Sequence, residues 1–372
     1  MADYGSSIWL TTEHPAISFE NTKVGQLKKK IWDMNEEEVD ELLKERYEIP
    51  APSEIGVADT YIQTTPRWKV VEKRKKNDVV LVPVGCTECH GMHTVSALDT
   101  FQCQSIVEGV RRATAKDGRE VSLAYNPLPY GAHPYHHLGM PGTVMVPQRV
   151  AVEVLVATML GLWNDGFRKQ IYINNHGQLW VLETALHEFL YRYQLPCIIQ
   201  VMDWHRAIRE FFYPGAKEDM VKTPFVHADE CETSVGMLCF PEGMVDLSHA
   251  DETHPKSYFE PGRFDNSTDS FHRPQRWSET EMTSPITYKG TPEGVVGSPA
   301  IVEARKAKRP ILAACEYLTF CVDEILDAFP PGTVPPTEEV THRTDEEMEA
   351  YLKEPGSEGW RSVYGLPRVG ME

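Results

Sequence analysis

With 372 residues, 41% of them hydrophobic, the chain can bury the core of one large domain with appendages, which excludes global disorder. Its formal net charge of −18 argues against nucleic acid or an anionic membrane surface as a partner, because both are recognised through basic patches. Met1–Gly5 lacks the basic start and apolar core of a secretory signal, and no apolar run is long enough to span a bilayer, so a cytoplasmic protein is expected.

Residues 1–70 read as an extension that packs on the core or on a neighbouring subunit. A polar amphipathic helix is predicted over Asn35–Leu43, followed by the breakers Pro50, Pro52 and Gly56. Between 71 and 329, strand-like segments at 78–84, 120–125, 169–174 and 196–202 alternate with helical patterns at 100–114, 148–165 and 178–194. Such alternation predicts an α/β domain whose mostly parallel sheet is covered by helices on both faces. A helix running to Phe240 and a last one over Ile311–Phe329 follow, and the Pro-rich, charged tail 330–372 is expected to run over the surface. The eight cysteines are scattered, so reduced thiols are expected. A redox role for Cys86-x-x-Cys89 would want a thioredoxin-like helix start, and a zinc ribbon would want a second such pair. The two thiols are therefore read as packing beside an acid/imidazole site.

Chemistry-bearing clusters fall at the ends of the strands. The first strand leads into Gly85-Cys86-Thr87-Glu88-Cys89-His90-Gly91-Met92-His93, with Asp99 close behind. Carboxylate and imidazole groups suit zinc, manganese or iron, and α/β proteins gather functional groups where strands run into loops. After the second strand come Tyr130 and then His133, His136 and His137, in a Gly/Pro loop suited to substrate or metal contact or to local hydrogen bonding. After the third comes Asn174-Asn175-His176-Gly177-Gln178, where the His can face a crevice or the Asn can simply cap a helix. Beside His227, the acids Asp229, Glu230 and Glu232 suit a metal ligand and a general base, although acids also favour helix N-termini. Glu230 is the candidate general base, and His137, Gln178, Tyr130 and Trp204 are candidate substrate contacts. Gly294–Pro299 is a Gly-rich turn without a phosphate-loop or dinucleotide signature.

Taken in order, Pro83–His93 with Asp99, Pro129-Tyr130-Gly131, Met140–Thr143, Asn175-His176-Gly177, His227–Ser234 and Gly294–Pro299 resemble the motif series of the creatininase (creatinine amidohydrolase) family over residues 78–329. The resemblance implies a three-layer α/β/α fold and a homo-oligomer, often a hexamer. It also implies a centre of one or two divalent ions, zinc, manganese or iron, at the carboxyl end of the sheet. By position, Glu88, His90, Asp99 and His176 would be metal ligands, with Asp99 bridging, Glu232 a further ligand and His227 the proton-transfer residue. A metal-activated water would attack the carbonyl of a small cyclic substrate, and His227 would pass a proton to the leaving group.

Departures from the family pattern bear on the substrate. Creatinine-cleaving members carry a Glu two residues after the His of the N-x-H motif, where this chain has Gln178. Cys86 stands at a usual Ser, and Cys89 at a common Gln. Family branches also hydrolyse formamides, trim a peptide, or open the ring of a diketo-inositol (3-dehydro-scyllo-inosose). The long N-terminal segment and the His-rich, polar pocket favour the polyhydroxylated ring. A cyclic-amide or formamide hydrolase is the alternative, and a non-catalytic oligomer that binds metal or ligand is a third reading.

Overall fold

Two runs, Val79–Val84 and Lys169–Asn174, are buried at every position, as strands covered on both faces must be. In the computed structural model, which describes residues 8–133, 138–253 and 293–369, they form β3 and β5 at the centre of a parallel sheet. A hairpin (β1, Trp9–Thr11; β2, Ser18–Glu20) and the helices α1 (Lys23–Asp33), α2 (Glu36–Leu42) and α3 (Arg67–Arg74) precede them. Around them lie α4 (Leu98–Lys116), β4 (Ser122–Leu123), α5 (Gln148–Asn164), α6 (Leu179–Tyr193), β6 (Ile198–Asp203) and the short α7 (Trp204–Ala207). The helices α8 (Glu230–Cys239), α9 (Arg305–Ala328), α10 (Thr337–Val340) and α11 (Asp345–Leu352) follow.

The strand order is β4-β3-β5-β6, with every pair parallel. Side chains alternate across the sheet. Val79, Leu81, Ile171 and Ile173 face one core, which α4, α8 and α9 complete, while Val80, Val82, Val84 and Tyr172 face a second, completed by α5 and α6. From β3 the chain passes through α4 on one face to β4, then crosses back through α5 on the other face to β5. The β3/β5 boundary is thus a topological switch point, where α/β sheets open a crevice at their carboxyl ends. Register makes those ends flush, because Val84 pairs with Asn174 and Asn174 with Asp203.

The N-terminal segment belongs to the first core, into which it inserts Phe19, Trp32, Val39, Leu43 and Tyr47. A capping box between Asn35 and Glu38 starts α2 where the sequence predicts it. Three differences from the sequence-based expectation have physical causes. The last long helix begins at Arg305 rather than Ile311, because Pro310 sits in its second turn and forfeits a single N–H there. The strand expected over 120–125 pairs only through Ser122–Leu123, at the sheet edge. The tail does more than run over the surface. It buries Met348, Val363 and Leu366 in the second core, and Arg168 donates to the carbonyls of Tyr351, Leu352 and Lys353. These apolar residues are isolated, so no periodicity announces them. No helix among the described residues is long and apolar enough to cross a membrane.

Lys169 is fully buried, and its Nζ donates to Asp78 Oδ1 at 2.8 Å and to the carbonyls of Phe329 and Pro330 at the end of α9. Lys169→Ala strands the buried Asp78 charge, and urea unfolding should show a loss of about 3–5 kcal/mol. His205 stacks on Phe225 at 4.6 Å, and burial, with Arg206 beside it, pushes its imidazole down from 6.5 to about 3. Below pH 6.5 the unfolded chain therefore binds a proton that the folded chain refuses, and stability falls as the pH drops towards 3. His205→Gln should flatten that dependence by up to about 1.4 kcal/mol per pH unit, read from unfolding midpoints across the range.

Candidate metal centre

The flush strand ends bring loops from separate parts of the chain to one edge of the sheet. Glu88 and His90 come from the loop after β3, and Asn175 and His176 from the loop after β5. Asp99 lies in the first turn of α4 and Glu232 in the first turn of α8, where the helix dipole favours a carboxylate. Gly85 permits the closest approach, since a Cβ there would lie 2.5 Å from Thr100 Cα. Only a glycine lets the β3 loop press on the start of α4 and set Glu88 beside Asp99.

His90 Nε2 lies 3.7 Å from Asp99 Oδ1, 3.7 Å from Glu232 Oε2 and 3.9 Å from Glu88 Oε2. On the other side, His176 Nδ1 lies 2.7 Å from Glu88 Oε2 and 3.6 Å from Asp99 Oδ2. Asp99 thus turns one oxygen to each imidazole, as a bridging carboxylate does. All five side chains are buried. His90 Nδ1 donates to the Glu88 carbonyl at 3.1 Å, which leaves a lone pair on Nε2. Among the described residues that buried nitrogen has no hydrogen-bond partner. A lone pair aimed at three carboxylates is repulsive unless a cation lies between them. The separations are close to the ~3.3 Å edge of a tetrahedron built from ~2.0 Å bonds, so the donor set fits a divalent ion. Burial, together with Asp99 and Asp229, pushes the Glu232 carboxyl well above the usual carboxylate range, a cost that a bound cation would offset.

Asn175 holds the two helix-borne acids in place. Its Nδ2 donates to Asp99 Oδ1 and to Glu232 Oε1, while its own Oδ1 accepts from Trp204 Nε1 at 2.7 Å. Glu232 Oε2 also accepts from the backbone N–H of Ala228, a residue held at a left-handed φ of 50°. His227 sits at the mouth. Its Nε2 donates to the Cys89 carbonyl at 2.8 Å, its ring centroid is 4.4 Å from that of His90, and its side chain is 15% exposed. The Gly-rich turn backs it through the Val296 N–H, which donates to the His227 carbonyl.

Glu88, His90, Asp99, His176, Glu232 and His227 therefore converge as the sequence predicts. Glu230 does not, and the general-base expectation is corrected. Two residues along a helix turn a side chain about 200°, so Glu230 faces away from Glu232. Its buried carboxylate accepts from Lys306 Nζ at 2.8 Å, from the Lys222 and Thr223 N–H groups and from the Thr223 hydroxyl. Trp204 is buried and supports Asn175 rather than lining the mouth. Gln178 uses both ends of its amide, accepting from Ala132 N–H and donating to Gly85 O and Asn174 Oδ1. It ties together the loops that carry Gly85, Ala132 and Asn174. Tyr130 is half-exposed, next to Pro129, whose carbonyl accepts from the Thr87 hydroxyl. His137 lies outside the described residues.

Sequence reasoning gave Asn175 no role, and placed Cys86 and His133 near the site without their partners. Asn175 was legible only as a motif letter. Cys86 donates its S–H to Asp99 Oδ2 at 3.0 Å, a neutral thiol raised by burial and by Asp99 and Glu88. His133 brings its ring centroid to 4.5 Å from that of His176.

The fold and these groups define a metal-dependent hydrolase of α/β type. Residues 65–322 match the creatininase (creatinine amidohydrolase) family model, and the chain belongs to that family. It is 40% identical over 304 residues to 3-dehydro-scyllo-inosose hydrolase of Thermotoga maritima, spanning 82% of this chain and 96% of that protein. A mycofactocin precursor peptide peptidase of Mycolicibacterium smegmatis is 29% identical over 139 residues, 36% of this chain and 55% of that protein. A manganese creatininase superposes with a TM-score of 0.51 at 20% identity, covering 73% of this chain and 99% of that one. A mutant creatininase of Zn-Zn type gives 0.52 at 19%, covering 73% and 98%.

Asn175→Ala removes the clamp on Asp99 and Glu232 without touching a candidate ligand. Metal affinity, measured by competition with a chelating indicator, should fall about 10–100-fold.

Proposed function

We propose that this enzyme hydrolyses a carbon–carbon bond in the ring of 3-dehydro-scyllo-inosose at a centre of two divalent ions. The observation that carries the substrate is the 40% identity to the Thermotoga hydrolase of that name, extending over 96% of its length. The position of Gln178 supports it, since the amide is spent on neighbouring loops instead of supplying the carboxylate that the family resemblance gives creatinine-cleaving members. Glu232 stands beside His90 in its stead.

In this reading His90, Glu232 and Asp99 would hold one ion, and Glu88, His176 and Asp99 would hold the other. Bound there, divalent cations lower the pKa of water and polarise a ketone oxygen. His227, the partly exposed member, presents Nδ1 to take a proton from the attacking water and return it to carbon. Its Nε2–H stays on the Cys89 carbonyl and fixes the ring. Water adds its oxygen to one ketone carbon of the cyclic 1,3-diketone. The bond to the carbon between the two ketones breaks, and its electron pair passes into the second carbonyl as an enolate. Protonation at that carbon gives an acyclic keto-carboxylate. Homo-oligomerisation is part of the same proposal, and the exposed Met92 and Leu138 on loops flanking the centre suit a subunit contact.

Incubation of the metal-loaded protein with the diketo-inositol should give the open-chain keto acid by NMR, with creatinine untouched. His227→Ala should lower kcat about 10²–10⁴-fold while metal content stays unchanged. Creatinine turnover without ring opening would reverse the assignment to a cyclic-amide hydrolase.

A further inference from the structure

We propose that Cys86 is a thiolate ligand of the ion at the Glu88–His176 end of the centre, and that this makes the two metal positions chemically unequal. The inference rests on the metal-centre reading above and concerns which metal each position takes. Cys86 Sγ and one ligand atom each of Glu88, His133 and His176 all lie within 4.8 Å of one another. That set, with Asp99 beside it, mixes sulfur, nitrogen and oxygen donors of the kinds zinc accepts. The His90, Asp99 and Glu232 set, by contrast, offers only nitrogen and oxygen. Soft thiolate favours zinc, ferrous iron or cobalt over manganese and magnesium, so the sulfur-containing position should select the former group.

The placement of the thiol is enforced. Cys86 has no exposed surface, and its Sγ lies 3.0 Å from Asp99 Oδ2 and 3.8 Å from Glu88 Oε2. Gly131 closes the space behind it, where a Cβ would come within 2.5 Å of Cys86 Cβ. Other cysteines are differently placed. Cys103, Cys231, Cys239, Cys315 and Cys321 lie in the first apolar core. Cys89 reaches the Glu293 carbonyl at 4.0 Å. Ligation replaces the S–H bond of Cys86 with a sulfur–metal bond and releases that proton to solvent, with no change in oxidation state. The hydrogen bond now made to Asp99 is given up, which leaves Oδ2 to the same ion.

The test uses the full chain, stripped with a chelator and reloaded with cobalt(II) alone, with cobalt content measured beside the absorption spectrum. The wild type and Cys89→Ser should show a thiolate-to-cobalt charge-transfer band in the near ultraviolet, and Cys86→Ser should lose it. A cobalt-loaded wild type without the band, or Cys86→Ser retaining it, overturns the proposal. X-ray absorption at the zinc edge of the wild type answers the same question without a variant. A sulfur shell at about 2.3 Å, amounting to one sulfur for every two zinc ions when both positions are filled, supports the ligand, and a shell of oxygen and nitrogen alone removes it. Ring opening without the band would leave the functional reading standing and this one refuted, whereas the band without ring opening would do the reverse.

Discussion

Glu88, Asp99 and Glu232 crowd three carboxylates into one buried space, and the rest of the structure answers to that constraint. Two like charges about 4 Å apart repel by roughly 4 kcal/mol even at an effective dielectric of 20, and solvent is too distant here to screen them. The protein meets part of this cost with fixed dipoles. Asp99 and Glu232 sit in the first turns of two helices, Asn175 donates to both, and the Ala228 N–H donates to Glu232. Burial, with Asp99 and Asp229 nearby, still holds the Glu232 carboxyl above the usual carboxylate range. A divalent cation among these donors would supply the remaining compensation.

Holding such a site open requires a rigid frame, and the sheet supplies it. The two buried central strands end flush at the topological switch point, so the loops after β3 and β5 leave side by side. The helix α4 packs on one face, α5 and α6 on the other, and both appendages add to these cores rather than extending away from them. The N-terminal segment thickens the α9 side, and the C-terminal tail seals the α5/α6 side. Buried ion pairs, Lys169 with Asp78 and Lys306 with Glu230, then lock helix ends to the sheet and to α8.

Such locks explain why residues of one type have divergent fates within a few positions. Glu230 and Glu232 share an acidic helix start, yet one closes a structural ion pair and the other faces His90. Gln178 and Trp204 flank the centre and are spent in holding it. What distinguishes a ligand from a support is the direction of a side chain, which depends on helical phase and on the partners that reach it from other elements.

The sequence by itself determined the class of fold and the metal-binding character. Period-2 and period-3.6 patterns are local, so β3, β5 and β6, together with α4, α5, α6 and α8, were legible to within a few residues. The motifs carrying Glu88, His90, Asp99, His176, His227 and Glu232 were legible because each ligand type has few substitutes for the same chemistry. Only the tertiary structure decided which oxygen faces which imidazole, that Glu230 belongs to Lys306, that Asn175 clamps two acids, and that the Cys86 thiol donates to Asp99. It also decided that the tail buries Met348, Val363 and Leu366. All of these depend on contacts between residues far apart in the chain, and no local pattern encodes the distance or the angle at which such residues meet.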